Sequence, residues 1–262
     1  MADPCVERVL LTNDDGIDAP GMAALEDVAA EIAREVWVVA PAYDQSGSSH
    51  SISLHAPLRV SRQGERRFAV SGTPGDCVVL GVQHLMAAAR PDLVLSGINR
   101  GGNLGVETVF SGTVGAAMTA LLLGLPAMAL SQTFSRREPV HWETARALAP
   151  GVIRQLVASG WQGQQACLNV NFPHAPPEAV GPLTPTRQGI GLIEAIEAVE
   201  RTDPRDVAYY WLRFRRGPRP DAAESEAVAV AAGRVTVTPL RFERTDEPTY
   251  AALSRALAVP AA

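Results

Sequence analysis

The feature that most constrains this chain is a repeated alternation, over its first 175 residues, of short apolar runs with longer segments of helical periodicity. Val9-Leu10-Leu11-Thr12 reads as a buried strand. Pro20 then opens a helix with Met22, Leu25, Val28 and Ile32 on one face. Val36-Trp37-Val38-Val39-Ala40 is a second strand, stopped by Pro41, and Phe68-Ala69-Val70 a short third. Thr73-Pro74 supplies an N-cap and a first-turn proline for a helix running to about Ala89. Asp92-Leu93-Val94-Leu95-Ser96, Ala127-Met128-Ala129-Leu130 and Cys167-Leu168-Asn169-Val170-Asn171 are further strands. Between them lie a helix from Ser111-Gly112-Thr113 to Gly124 and a helical region from about 139 to 159, interrupted at Pro150-Gly151. Fully apolar strands separated by helices belong to a parallel sheet covered on both faces. The expected fold is therefore α/β, a Rossmann-like three-layer core with a mostly parallel sheet.

Beyond residue 175 the texture changes. Pro176-Pro177, Pro182 and Pro185 mark a linker-like passage, and Tyr209–Phe214 and Arg234–Thr238 read as antiparallel strands. The arginines of 215–220 read as a solvated turn, and about 249 to 257 as a terminal helix. Residues 1–175 are expected to be the catalytic core, and 176–262 an extension serving oligomerisation.

Composition removes several classes of function. Hydrophobic residues are 47% of 262 and charged residues 19%, a globular profile. A net charge of −5 argues against a protein that coats duplex nucleic acid. Lysine is absent, so all 23 basic residues are arginine, and Schiff-base and Walker A chemistry are excluded. Cys5, Cys77 and Cys167 lie far apart with no CxxC pair, which fits a reduced compartment. No apolar run is long enough for a membrane span and the N-terminus has no signal pattern, so a cytoplasmic protein is expected.

Three polar clusters each follow an apolar strand: Thr12-Asn13-Asp14-Asp15-Gly16, Pro41 to Ser49, and Ser96 to Asn103. In an open parallel sheet the carboxyl ends of the strands share one edge, where ligands bind, so the clusters are expected to meet. Adjacent carboxylates repel unless a cation lies beside them. Taken alone, Asn13 to Gly16 reads as a turn. With the hydroxyl of Ser46 and the amide oxygen of Asn99, Asp14 and Asp15 form a hard-oxygen set suited to Mg²⁺, Mn²⁺ or Ca²⁺. The small residues Ser46 to Ser49 and the helix start at Ser111-Gly112-Thr113 offer N–H and O–H groups to an anion, and Gly101-Gly102 permits close backbone approach. The histidines carry little weight: His50 lies just after the second cluster and could reach a substrate, though a structural role is favoured. His55, His84, His141 and His174 fit no ligand spacing and are assigned structural or surface roles.

These residues resemble the SurE family of stationary-phase survival proteins, 5′/3′-nucleotidases. The resemblance rests on Asn13 to Gly21, the Ser46-Gly47 cluster, Gly72-Thr73-Pro74, Ser96-Gly97-Ile98-Asn99 with Gly101 and Asn103, and Ser111 to Ala117. It implies a divalent-metal-dependent hydrolase of nucleoside monophosphates, with one metal per subunit, Mg²⁺ or Mn²⁺, held by Asp14, Asp15, Ser46 and Asn99. It further implies catalytic roles for Asp14, Asp15, Asn103 and Ser111, substrate contacts from Asn13, Gly47, Ser48, Gly112 and Thr113, and a homodimer or homotetramer. The chain departs from the family pattern at Ala42-Tyr43, Val106-Glu107, Phe110, Asp206 and Glu243. The alternative is a non-catalytic protein that binds metal and nucleotide as a regulator. A phospho-receiver domain is disfavoured because it needs a lysine.

Overall fold

The computed structural model describes residues 3–135, 138–161, 163, 165–217 and 221–257. Nine strands form one sheet. In chain order they are β1 (Val6–Thr12), β2 (Ala33–Pro41), β3 (Val60–Arg62), β4 (Arg67–Val70), β5 (Leu93–Arg100), β6 (Ala127–Gln132), β7 (Cys167–Phe172), β8 (Gly181–Pro185) and, after a separate hairpin, β11 (Arg234–Leu240). The spatial order is β3-β4-β2-β1-β5-β6-β7-β11-β8. The six strands from β4 to β7 run parallel, while β3 and β11 are antiparallel to their inner neighbours. The mostly parallel sheet expected from the apolar runs is present.

Side-chain alternation along β1 explains the three layers. Val9 and Leu11 face one side, where α1 (Pro20–Ile32) contributes Met22, Leu25, Val28 and Ile32, and α4 (Trp142–Ala158) contributes Ala145, Ala149 and Ile153. Leu10 faces the other, with Val78 of α2 (Pro74–Leu80) and Ala116, Ala117 and Met118 of α3 (Gly112–Leu122). Successive residues point to opposite faces, so a wholly apolar strand needs a helical layer on each.

Two helices differ from expectation. The helix begun at Thr73-Pro74 has the expected cap, with a reciprocal Thr73–Asp76 capping box, but is regular only to Leu80 and widens into a π turn at Gly81–Leu85. Pro150 does not interrupt α4, which is continuous through it. One intrahelical bond is lost there, and burial of Ala145, Ala149, Pro150, Ile153 and Leu156 outweighs it.

The segment after residue 175 divides. β8 and β11 extend the main sheet, and Ser225 caps the short α5 (Glu226–Ala231) ahead of β11. β9 (Ile193–Thr202) and β10 (Ala208–Arg216) pair only with each other, as an antiparallel hairpin. α6 (Glu247–Leu257) closes the described chain, with no buried residue. Of the arginine-rich turn, Pro218, Arg219 and Pro220 lie outside the described residues. No described helix is long and apolar enough to cross a membrane.

Candidate active site

From β1 the chain passes to β2 on one side, while β5 lies on the other side of β1. The direction of winding reverses between β1 and β5, which makes the carboxyl ends of these two strands the expected ligand crevice. Asp14 and Asp15 follow β1, and Asn99 and Arg100 end β5.

The acidic turn is held from several directions. Asn13 donates its amide N–H to the carbonyl of Gly16 at 2.7 Å, and Gly16 takes φ +102°, open to glycine without strain. The Ile17 N–H bonds the carbonyl of Pro41 at the end of β2. Asp14 is buried and accepts the Thr113 hydroxyl at 2.7 Å from the first turn of α3. Asp15 is half-buried and accepts the backbone N–H of Arg100 at 3.0 Å. The loop after β2 joins them, because the Gln45 N–H bonds the Asp14 carbonyl at 2.7 Å and the Ser46 N–H bonds Asp44 Oδ1 at 2.7 Å. All three polar clusters meet at this edge.

Contact with α3 is close. A Cβ placed on Gly112 would lie 2.7 Å from Asp14 Cβ and 2.8 Å from Ser48 Oγ, so glycine is the residue that lets the helix start approach the acid. Gly115 serves the same approach, since a Cβ there would lie 2.2 Å from the carbonyl oxygen of Ser49. Asp14, Ser48, Gly112 and Thr113 therefore form one cluster from three loops.

The electrostatics are unusual. Burial raises the Asp14 carboxyl to about 6, against the Thr113 hydrogen bond and with help from the negative Asp15. Burial also raises Asp15, and Asp44 adds to it, while the Arg100 N–H and charge oppose it. Among the described residues neither carboxylate forms an ion pair within 4.0 Å. The hydroxyl oxygen of Ser48 is buried without a hydrogen-bond partner. Two desolvated carboxylates beside an unpartnered hydroxyl suit a hard divalent cation, so the residues present fit the expected metal.

The remaining expected residues occupy varied settings. Ser46 and Gly47 are exposed on the β2 loop. Asn99 turns its amide nitrogen to the Gly101 carbonyl at 2.8 Å, leaving its oxygen as the acceptor end. Ser111 caps α3 by accepting the Val114 N–H at 3.1 Å, which leaves its own proton to donate. Asn103 is buried and donates to Ser131 Oγ at 2.8 Å. Its backbone N–H and carbonyl are held by the amides of Asn171 and Asn169. Those supporting asparagines were not singled out from the sequence, although two asparagines inside a buried strand are the signal that marks them. His50 lines a different cavity, with Arg241 and Arg244, and burial followed by the Arg244 charge lowers its pKa.

A cavity of about 630 Å³ opens beside Arg100, lined among others by Gly101, Glu107, Phe134, Phe214 and Arg216. The Arg100 guanidinium lies over the Phe134 ring at 4.6 Å. Two positions that depart from the family pattern meet β10 here. Glu107 holds Arg216 through two bonds of 3.1 Å, and Phe110 contacts Phe214 at 5.4 Å between ring centres.

One grouping goes beyond what sequence spacing shows. His141 and His174 have no ligand spacing in sequence, yet one ligand atom from each and one from Glu138 lie within 4.8 Å of one another. The sheet brings them together, because the loop after β6 and the segment after β7 leave neighbouring parallel strands.

Comparison with known proteins agrees with this architecture. The profile of the family described as "Survival protein SurE" matches residues 9–194. The chain is 63% identical over 254 residues to a protein of Burkholderia lata named "5'-nucleotidase SurE 1", covering 97% of this chain and 98% of that one. It is 46% identical over 256 residues to "5'-nucleotidase SurE" of Paramagnetospirillum magneticum, covering 98% of each. The crystal structure of the SurE protein from Aquifex aeolicus superposes with a TM-score of 0.80 at 32% identity, over 95% of this chain and 99% of that one. With the family profile spanning most of its length and the sheet-edge acidic pair in place, this chain belongs to the SurE family.

Proposed function

We propose that this chain is a divalent-metal-dependent phosphomonoesterase that hydrolyses nucleoside 5′- and 3′-monophosphates to nucleoside and phosphate. The observation that carries the reading is the pair of buried Asp14 and half-buried Asp15 at the β1/β5 crevice, with Asp14 bonded to the first turn of α3. The names of the relatives, 5′-nucleotidases, support the same reaction. Nothing in the described residues favours a binding protein without turnover.

Asp14, Asp15, Ser46 and Asn99 are the residues assigned to hold one Mg²⁺ or Mn²⁺. A divalent ion held there would supply Lewis acidity toward a phosphoryl oxygen and an attacking water. Asp14 and Asp15 supply the negative charge of the site, and either carboxylate can take the proton of an attacking water. The α3 N–H groups, the Ser111 hydroxyl and the Asn103 amide are assigned to the developing charge on the phosphoryl oxygens. Asn13, Gly47, Ser48, Gly112 and Thr113 shape the phosphate pocket. The nucleoside is assigned to the cavity beside Arg100, whose volume and aromatic wall suit a base and sugar.

The extension 176–262 is proposed to build a homodimer or homotetramer. The half-buried Cys5 and the buried Cys77 and Cys167 are free thiols, which supports a cytoplasmic location. The test is a phosphate-release panel over 5′- and 3′-monophosphates, with chelator and then Mg²⁺, Mn²⁺, Co²⁺ and Ca²⁺ returned singly. Turnover that is lost with chelator, restored by an ion, and abolished in a folded Asp15→Asn variant is expected. Absence of release from every monophosphate sinks the reaction, and an active Asp15→Asn variant sinks the assigned role.

A further inference from the structure

Outside the acidic crevice, Glu138, His141 and His174 form a second cluster of ligand-bearing side chains. Glu138 and His141 lie between β6 and α4, and His174 lies two residues beyond β7. One ligand atom from each falls within a 4.8 Å group. The two imidazoles are 4.7 Å apart between ring centres. His174 Nε2 is 2.8 Å from Glu138 Oε2, and His141 Nδ1 is 2.7 Å from Glu143 Oε1.

A pair of ordinary histidine–carboxylate contacts leaves two things unexplained. An ionised carboxylate only accepts, so each ring nitrogen facing a glutamate carries a proton. If both rings are cationic, two charges stack at close range. If both are neutral, each ring keeps a bare lone pair on its second nitrogen. For His174 that second nitrogen, Nδ1, is buried and has no hydrogen-bond partner. A divalent cation removes the first difficulty: it takes the place of the proton between His174 Nε2 and Glu138 Oε2, so the stacked rings need carry no charge of their own, and Glu138 and Glu143 balance the charge of the ion.

We propose that Glu138, His141 and His174 bind one Zn²⁺-class ion, separate from the cation of the acidic crevice. Two imidazoles and one carboxylate suit Zn²⁺, Co²⁺ or Ni²⁺, whereas the oxygen donors around Asp14 and Asp15 suit Mg²⁺ or Mn²⁺. Three protein ligands leave a fourth position for water. Glu143 plays the outer role, since its hold on Nδ1 fixes the His141 ring and presents Nε2 to the ion. The ion ties the segment before α4 to the segment after β7. Trp142, next in sequence to His141, carries that tie to α1, where its ring would lie 3.2 Å from a Cβ on Gly21.

The test uses the full-length chain, stripped with chelator and titrated with Zn²⁺ in a millimolar excess of Mg²⁺, with bound metal read by elemental analysis and affinity by calorimetry. Wild type and Asp15→Asn are expected to retain one Zn²⁺ each. Glu138→Gln and His174→Ala are expected to bind it more than about 100-fold more weakly, and Glu143→Gln roughly 10-fold more weakly. Glu138 is exposed, so Glu138→Gln keeps the metal-free fold even if His174→Ala does not, and circular dichroism of the stripped proteins checks this. Equal Zn²⁺ affinity in wild type and Glu138→Gln overturns the proposal. So does loss of the Mg²⁺-resistant Zn²⁺ in Asp15→Asn, which assigns that ion to the crevice instead.

Discussion

At the scale of single residues, the site is a charge problem held in place by the fold. Asp14 has an ordinary carboxyl value of 3.8 when solvated and about 6 in the fold, because burial penalises the charged form. A carboxyl raised on folding contributes stability that is complete below about pH 4. That contribution is lost as pH rises through about 6. In metal-free protein the loss amounts to about 3 kcal/mol by pH 8. Asp14→Asn removes the charge and keeps an oxygen for the Thr113 hydroxyl. Metal-free Asp14→Asn is therefore expected to melt several degrees above metal-free wild type at pH 8, at roughly 2–4 °C per kcal/mol, with no gain at pH 4. Its turnover is expected to be lost. Melting curves in chelator at the two pH values check the sign, and an equal shift at both removes the electrostatic explanation.

At the scale of elements, the segment leading into α3 depends on one buried carboxylate. Glu226, the first residue of α5, is buried and accepts the Gly105 N–H at 2.5 Å and the Gly189 N–H at 2.7 Å. It thereby pins the turn Gly105–Val109, which delivers Phe110 and Ser111 to the crevice. Glu226→Ala strands two N–H groups and is expected to cost roughly 2–4 kcal/mol in denaturant unfolding, with Glu226→Gln recovering part of it. A change under 0.5 kcal/mol would show that water replaces the carboxylate. This contact also shows where sequence reading stops. The core strands and the places of α1 to α4 were legible because burial on both faces writes apolar runs into the sequence and Thr73 and Ser111 mark the starts of α2 and α3, whereas the early end of α2 and the continuity of α4 through Pro150 were not. The hairpin strand β9 was not read, since Ile193-Glu194-Ala195-Ile196-Glu197-Ala198 is only half-buried and its spacing suits a helix as well as a strand. In the site, the acidic pair was legible from its place after a strand. The Arg100 N–H on Asp15 and the Thr113 hydroxyl on Asp14 span 85 and 99 residues, and no local pattern records such a pairing.

At the scale of the whole molecule, the β9–β10 hairpin exposes Tyr209, Tyr210, Trp211 and Leu212 together, Trp211 at 64% and Leu212 at 74%. Tyr209 and Trp211 lie on one face of the hairpin and Tyr210 and Leu212 on the other, and we propose these exposed apolar faces, outside the main sheet, as an association surface. If the proposed oligomer forms through this hairpin, Trp211→Glu with Leu212→Glu is expected to lower the mass to that of a monomer in light scattering, and an unchanged oligomeric mass would move the interface elsewhere. The sheet order has a further consequence, in time rather than space. β1 lies against β5, whose partner residues follow it by more than eighty positions, and the helix that caps the acidic turn follows later still. A chain emerging N-terminus first thus presents Asp14 and Asp15 long before their neighbours exist. The proposed cation site needs Asn99 of β5 beside Asp14 and Asp15, so its donor set is complete only once β1 and β5 have paired. An ion gripped only by that completed cage cannot hasten the steps before it. Saturating Mn²⁺ is therefore expected to slow unfolding in stopped-flow denaturant jumps and leave the refolding rate within about twofold, the behaviour of contacts absent from the transition state.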